Sequence, residues 1–339
     1  MRINLIGNFT PNTGLAQDAL LIRGLLTNLH GNKVHFFRVP YQFPQCTEAE
    51  LNIFIEVINP SLFAYAKKNV WIPNLEWTYK TWIPYVTMVD EIWTKTSEAT
   101  NTFKMLVEGT STSVKEIRWT SISKVHQTTK DYSKAIVLVG KNIFRNPKQL
   151  FRAYNEIRIN EPSVYQKLPT LYVPYNPDHV TLFCPENLHD KITLISKHLS
   201  DKEYDDLLGE CGLAICLSAA EGYGHAVHEA MSSGCNLILS SIQPFQQLCS
   251  NNNSMLWVEL SKVIPSPDRL GTICDTSMIS IIKQLKNYLS RDTQSKISAS
   301  ERSRILYERN HNKFIDYSDV KFMDEEYILK NTLPKESDL

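Results

Sequence analysis

The sequence predicts an α/β protein of two domains, each a parallel sheet covered by helices. Three observations predict this. The chain has 339 residues, and at roughly 100–200 residues per domain that length favours two. Short apolar runs rich in β-branched residues alternate with helix-period segments. The alternation breaks at a polar stretch, Ser121 to Ser133, and starts afresh at Ala135.

Ile3 to Ile6 is the first apolar run, and a Gly-, Asn- and Pro-containing loop follows from Gly7 to Gly14. Leu15, Ala19, Ile22, Leu26 and Leu29 then recur at steps of three and four on one helix face. Strand, glycine loop and helix together open a βα unit of the nucleotide-binding type. Val34 to Val39, Ile53 to Ile58, Asn69 to Ile72, Glu91 to Thr94 and Val114 to Trp119 read as further strands, with a helix from Glu98 to Glu108. After the polar stretch, Ala135 to Val139 is a continuous β-branched run suited to a buried parallel strand. Pro147 opens a helix to Glu156, where a missing N–H does little harm. Strands are expected at Leu171 to Pro174, Ile192 to Ser196, Leu213 to Leu217 and Asn236 to Ser240. Helices are expected at Asp201 to Glu210, His225 to Ser233 and Met278 to Ser290. Two Rossmann-like domains result, 1–128 and 129–300, with a helical tail, 301–339, expected to return towards the first.

Composition excludes several classes. Apolar residues make 42% and charged residues 21% of the chain, as in an ordinary globular protein. Thirty-six basic residues balance thirty-six acidic ones, so no global field draws the chain to nucleic acid or an anionic membrane. The seven cysteines, Cys46, Cys184, Cys211, Cys216, Cys235, Cys249 and Cys274, form no C-x-x-C pair. Their odd number and apolar settings fit a reducing compartment, and a cytoplasmic location is expected. No run reaches the ~18–20 apolar residues of a transmembrane helix.

The chemistry concentrates in LAICLSAAEGYGHAVHEAMSSGCNLILSS, Leu213 to Ser241. A buried strand ends at Leu217, a small-residue loop follows, and Gly222 and Gly224 flank Tyr223 before a helix that begins near His225. Ligands of parallel α/β sheets bind at the carboxyl ends of strands, where such loops sit. The helix start points N–H groups and a positive dipole end at that spot, which suits a diphosphate. Glu221 and Glu229 stand eight apart, and a carboxylate accepts two hydroxyl hydrogen bonds at once, as a ribose or hexose diol offers. Gly-x-Gly before a helix is common and paired glutamates recur by chance, so these residues alone leave a structural reading open.

The run E-G-Y-G-x-x-x-x-E-A-M-x-x-G resembles the E-x7-E signature of retaining glycosyltransferases of the GT-B class, the family 4 group. Upstream, HLSDKEYDDLLGECGLAICLSAAEG resembles that family's approach to the motif, and IVLVGKNIFRNPKQLFRAY its first donor-domain strand and helix. The resemblance covers roughly Ala135 to Ser250 most closely. It implies two domains facing each other across a cleft and a nucleotide-sugar donor. Glu229 would hold the ribose hydroxyls, and Glu221 would contact the transferred sugar near the reacting carbon. Lys141 and Arg145 would neutralise the leaving diphosphate. Backbone groups from Gly224, His225 and Ala226 would face sugar or phosphate. Gly14, in PNTGLAQ, matches the family's N-terminal glycine loop. The resemblance also implies transfer without a metal or other cofactor, and no D-x-D stands at a strand end. Fixed cations at the diphosphate stabilise the charge that builds there as the sugar leaves.

The chain departs from that family at His225 and His228, where apolar residues are usual, at Asn236, usually proline, and at Gln247, usually glutamate. His225, His228 and Glu229 have metal-ligand spacing, but no further ligand segment accompanies them. In the N-terminal domain, WIPNLEW places Asn74 and Glu76 between Trp71 and Trp77 after a strand, and Glu56 and Asn59 end another. Aromatic faces with a carboxylate suit an acceptor sugar, and a buried aromatic corner explains the same pattern. His30, His126 and His198 read as ordinary helix-end or surface residues.

The leading expectation is sugar transfer with retention to an acceptor the sequence does not identify. A GT-B-like phosphorylase lacks an obvious pyridoxal-phosphate lysine, and an epimerase lacks an assignable carboxylate and histidine set. A catalytically silent donor-binding scaffold stays open. A dehydrogenase is disfavoured, because the first loop has no G-x-G-x-x-G.

Overall fold

Continuous apolar runs become strands buried on both faces. In a computed structural model, which describes residues 2–9, 13–27, 33–38, 48–117, 119–124, 129–145, 147–250 and 252–317, two six-stranded sheets carry the fold. The sequence-predicted Leu29, His30, Val39, Cys46 and His126, with the tail beyond residue 317, lie outside the described residues.

The described residues divide into two compact units. The first comprises 2–122, 265–271 and 310–317, and the second 123–264 and 272–309. Residues 265–271 join the first unit although their flanking residues belong to the second, an excursion absent from a serial reading of the chain.

The first unit holds β1 (Arg2–Gly7), α1 (Gly14–Thr27), β2 (Lys33–Arg38), β3 (Ala49–Ile55), β4 (Ala66–Ile72), α2 (Ile83–Val86), β5 (Glu91–Thr94), α3 (Ser97–Leu106) and β6 (Ser113–Glu116). Its strands are parallel in the order β2-β1-β3-β4-β5-β6. The order reverses between β1 and β3, which makes a crevice at their carboxyl ends. The core gathers Ile6, Phe54, Trp71, Ile92 and Phe103. Ala19 and Ile22 of the predicted helix stripe are buried as expected. β3 stops at Ile55, short of the predicted Ile58, because Glu56 turns to φ 63°.

The second unit holds β7 (Asp131–Val137), α4 (Lys148–Asn160), α5 (Pro162–Tyr165), β8 (Thr170–Pro174), β9 (Ile192–Ile195), α6 (Asp201–Glu210), β10 (Cys211–Cys216), α7 (His225–Ser232), β11 (Asn236–Ser240), α8 (Gln243–Leu248) and β12 (Leu256–Val258). β13 (Leu260–Pro265) and β14 (Thr272–Thr276) form a separate two-stranded sheet, and α9 (Met278–Ser290) and α10 (Thr293–Tyr317) are the last elements of the described residues. The large sheet is parallel in the order β12-β11-β10-β7-β8-β9, with its reversal between β10 and β7. All six residues of β10 are buried, as a central strand between two helix layers requires.

β7 begins at Asp131, inside the predicted linker. Its polar first half lies at the more exposed end of the sheet, so the apolar run marks only the buried half. A capping box from Ser200 and Glu203 starts α6. α10 runs from Thr293, so the helix that enters the expected tail starts before residue 301. Asn236, the departure from proline, has a structural use. Its amide donates to Lys296 O and Ser300 Oγ, both at 3.0 Å, and so holds α10 against β11. Among the described residues, no helix is long and apolar enough to cross a membrane. The six described cysteines are buried free thiols.

Candidate active site

The reversal of strand order brings the loop after β7 beside the loop after β10. Gly140 ends the first strand's run at φ 60°, a conformation that suits glycine. The Asn142 side chain then accepts from Phe144 N at 2.9 Å, and Arg145 N donates to Asn142 O at 3.0 Å, which closes a tight turn. Phe144 O accepts from Ala219 N at 2.8 Å, so this turn is fastened to the β10 loop. On the other side, Ala219 O accepts from Cys274 N at 2.9 Å, and Ser218 O accepts from Ser240 Oγ at 2.7 Å.

Two rigid loops thus carry Arg145 and Glu221 to each other. Arg145 Nε donates to Glu221 Oε1 at 2.5 Å and Nη2 to Oε2 at 2.9 Å, a bidentate ion pair whose side chains are 14% and 6% exposed. Asn142 Nδ2 adds a longer contact to Oε1 at 3.4 Å. Burial works against the Arg145 charge, but the Glu221 carboxylate outweighs it and holds the guanidinium's pKa above its ordinary value. The pair engages one edge of the guanidinium fork, and its remaining N–H groups are the donors a phosphate needs. Lys141 lies half-buried in the same turn.

Gly222 and the left-handed Gly224, at φ 107°, lead into α7. A Cβ at residue 224 would stand 2.8 Å from the Phe245 ring, so both conformation and space call for glycine. Gly224 is the N-cap and makes no side-chain cap bond, so the positive end of the helix dipole lies at His225 and Ala226. Tyr223 turns inward instead. Its ring is buried between His225 and His228, and its hydroxyl lies 3.2 Å from His228 Nδ1. The His228 ring also packs on Tyr307 at 4.6 Å. The residue that breaks the apolar pattern therefore joins α7 to α10. Among the described residues, no three His, Cys, Asp or Glu side chains gather as metal ligands.

Glu229 is buried on α7. Residues that the sequence reading missed surround it. Lys124 pairs with Asp205 at 3.0 Å, and its backbone N donates to Ser232 Oγ at 2.8 Å. Burial disfavours the Lys124 charge, but Glu229 and then Asp205 hold its pKa above the usual value. Burial, and after it the Glu229 charge, push the Tyr204 hydroxyl well up. The polar linker composition around Lys124 concealed it, since nothing local links residue 124 to residue 229. Burial pushes the Cys216 thiol, at the end of β10, up to about 12, which disfavours its thiolate.

The N-terminal candidates separate. Gly14 starts α1 and is exposed. Glu56, Asn74 and Glu76 follow β3 and β4. Asn74 Nδ2 donates to Glu56 Oε2 at 3.0 Å and Asn74 Oδ1 accepts from Lys95 Nζ at 3.1 Å. Lys95 in turn pairs with Asp18, whose other oxygen accepts from Trp119 Nε1 at 2.7 Å. Burial pushes the Glu56 carboxyl up, against the lowering effect of Asn74. Asp18, Lys95 and Trp119 were not legible as site residues, because they lie far apart in sequence. Trp71 settles as core, packed edge-on against Phe103 and Trp82 at 5.3 and 6.5 Å. The Trp77 ring is covered by the Arg269 guanidinium at 4.4 Å. Trp71 thus belongs to a buried aromatic corner, while Trp77 is half-buried.

No protein-family model matches the chain. A GDP-mannose:cellobiosyl-diphosphopolyprenol alpha-mannosyltransferase of Komagataeibacter xylinus is 38% identical over 78 residues, which are 23% of this chain and 20% of that protein. The match thus spans about a fifth of that relative's length. A sucrose-phosphate synthase structure from Thermosynechococcus elongatus superposes with a TM-score of 0.69 at 11% identity, covering 95% of this chain and 98% of that one. WaaG, a glycosyltransferase involved in lipopolysaccharide biosynthesis, superposes with a TM-score of 0.57 at 11% identity, covering 94% and 100%.

Proposed function

We propose that this chain, whose fold is GT-B like that of family 4 glycosyltransferases, moves a hexosyl group from a nucleotide-sugar to an acceptor hydroxyl with retention and without a metal. The observation that supports it most is the meeting of Arg145 and Glu221 at the strand-order reversal of the second unit, beside the start of α7.

In this reading the diphosphate seats against the free edge of Arg145, against Lys141 and against the α7 N-terminus. Negative charge grows on the leaving nucleotide as the sugar–phosphate bond lengthens. Cations already in place meet that charge with little reorganisation, which lowers the barrier. Glu229 takes the ribose hydroxyls, and Glu221 keeps a lone pair for a hydroxyl of the transferred sugar. Gly222 and Gly224 let the ligand approach the backbone. Tyr223 contributes through packing and its main chain, because its ring points inward.

The name of the Komagataeibacter relative makes GDP-mannose the first donor to test. A panel of GDP-, UDP- and ADP-sugars is screened for donor hydrolysis and for thermal stabilisation, since a bound ligand raises apparent stability by mass action. One donor is expected to stabilise the protein and to release its nucleoside diphosphate. A panel with neither effect contradicts the assignment.

A further inference from the structure

Lys124 links three segments of the second unit: the stretch that opens it, α6 and α7. Its backbone N donates to Ser232 Oγ at 2.8 Å, and the same hydroxyl donates to Glu229 O at 2.8 Å. One buried serine on α7 thus ties the main chain of Lys124 to that of Glu229. The Lys124 ammonium reaches α6 and pairs with Asp205 at 3.0 Å.

A second lysine sets off what is particular to the first. Lys130 Nζ donates to Leu208 O on α6 at 2.8 Å and to Ser233 Oγ at the end of α7 at 3.1 Å. Both lysines therefore lace α6 to α7, but Lys130 meets a carbonyl and a hydroxyl, whereas Lys124 meets carboxylates. Burial opposes the Lys124 charge, and Glu229, followed by Asp205, upholds it. Attraction between charges is mutual, so the ammonium favours the ionised Glu229 to the same extent.

That reciprocity bears on the task proposed for Glu229. A carboxylate accepts two hydroxyl hydrogen bonds only while ionised, because a protonated one turns an oxygen into a donor. Glu229 is 5% exposed. Removal from water disfavours the ionised form of a carboxyl, and a cation close by restores it. A diphosphate at the start of α7 adds a further opposing charge, since Glu229 lies only about 6 Å along the helix from His225. The anchor of Lys124 at Ser232 lies about 10 Å from His225 along the same axis. Its main chain is thus held on the side of Glu229 away from the phosphates.

We infer that Lys124 is a positioning residue for the donor ribose: its ammonium keeps Glu229 ionised and held so that both carboxylate oxygens can accept from the two ribose hydroxyls. The inference rests on the proposed nucleotide-sugar reading. Lys124 acts through Glu229, and the phosphates stay with Lys141 and Arg145.

The test uses the full chain and titration calorimetry with GDP or UDP, whichever nucleotide's sugar the wild type turns over, and with the dideoxy analogue that lacks both ribose hydroxyls. The wild type is expected to bind the ribose form tenfold or more tightly than the dideoxy form. Lys124→Met is expected to bind the ribose form about tenfold more weakly and the dideoxy form within twofold of wild type. Lys124→Gln, polar but uncharged, carries the same expectation, so the test does not hang on the folding of one variant. Lys124→Arg is expected to recover most of the lost affinity. In Glu229→Gln the further change Lys124→Met should alter affinity less than twofold, because two residues that act as one are not additive. Donor KM should rise in Lys124→Met with kcat within twofold. Equal weakening of both nucleotide forms, unchanged affinity for the ribose form, or additive losses in the double variant would each overturn the inference. A wild type that binds no nucleoside diphosphate, or binds the ribose and dideoxy forms alike, would instead bring down the reading on which it rests.

Discussion

Arg145 and Glu221 stand 76 residues apart in the chain and share a bidentate ion pair of 2.5 and 2.9 Å. They meet because β10 lies next to β7 in the sheet, so the loops that follow these two strands leave it side by side. The pair is electrically neutral as a unit. A diphosphate bound at the free edge of Arg145 therefore feels the Glu221 carboxylate as well as the guanidinium.

From that balance, Glu221→Gln is expected to bind the nucleoside diphosphate about tenfold more tightly, a gain of about 1.4 kcal/mol. The amide keeps the side chain's shape and removes only the opposing charge. Sugar transfer is expected to fall, since the proposed mechanism places this carboxylate beside the reacting carbon. Titration calorimetry with GDP and UDP measures the first effect. Weaker binding in the variant would mean that Glu221 serves only to orient Arg145.

Glu229→Ala is expected to raise the donor KM with kcat largely retained. A ribose contact made equally in ground and transition states affects binding alone. Loss of a hydrogen bond to a charged group costs about 1.5–3 kcal/mol, so the donor KM should rise tenfold or more by steady-state kinetics. A fall in kcat at unchanged KM would place Glu229 at the reacting sugar instead.

Donor turnover is expected to survive excess EDTA and to fail when Lys141→Ala and Arg145→Ala are combined. Arginine's fork and lysine's point charge can share one diphosphate, so each single variant should retain part of the activity. Activity lost to EDTA and restored by a divalent ion would refute the metal-free mechanism. Full activity in the double variant would put the phosphates elsewhere.

Acid stability offers a check on the first unit. Burial alone would raise the Glu91 carboxyl, yet Lys68 at 2.6 Å, Trp93 at 2.8 Å and Lys115 at 3.0 Å bring it down to about 2. A carboxylate lowered on folding stabilises the native state above its unfolded value of about 4.3. The stabilisation then fades as pH drops towards 2. Both lysines are half-exposed to water, and solvent screening leaves about 1 kcal/mol. Glu91→Gln should therefore flatten the loss of stability between pH 4.5 and 2, read by urea unfolding at each pH. A wild-type slope in the variant would contradict this.

The sequence by itself determined the two sheets and the motif. The apolar run Leu213 to Leu217 read as a buried strand, and the structure makes it the central strand Cys211–Cys216, buried at all six residues because both of its faces meet helices. Gly224 and His225 marked the start of α7 because a left-handed N-cap is a local property. The same locality limited the reading. Periodicity reports which face of an element is buried, and it is silent on which strands become neighbours. Tertiary structure alone set Arg145 against Glu221, Lys124 beside Glu229, and Asp18, Lys95 and Asn74 in one chain ending on Glu56. It also decided that Trp71 belongs to the core. An aromatic residue after a strand looks the same in sequence whether it packs inward or faces a ligand. Only the packing of β4 against α3 makes the difference, and that packing joins residues far apart in the chain.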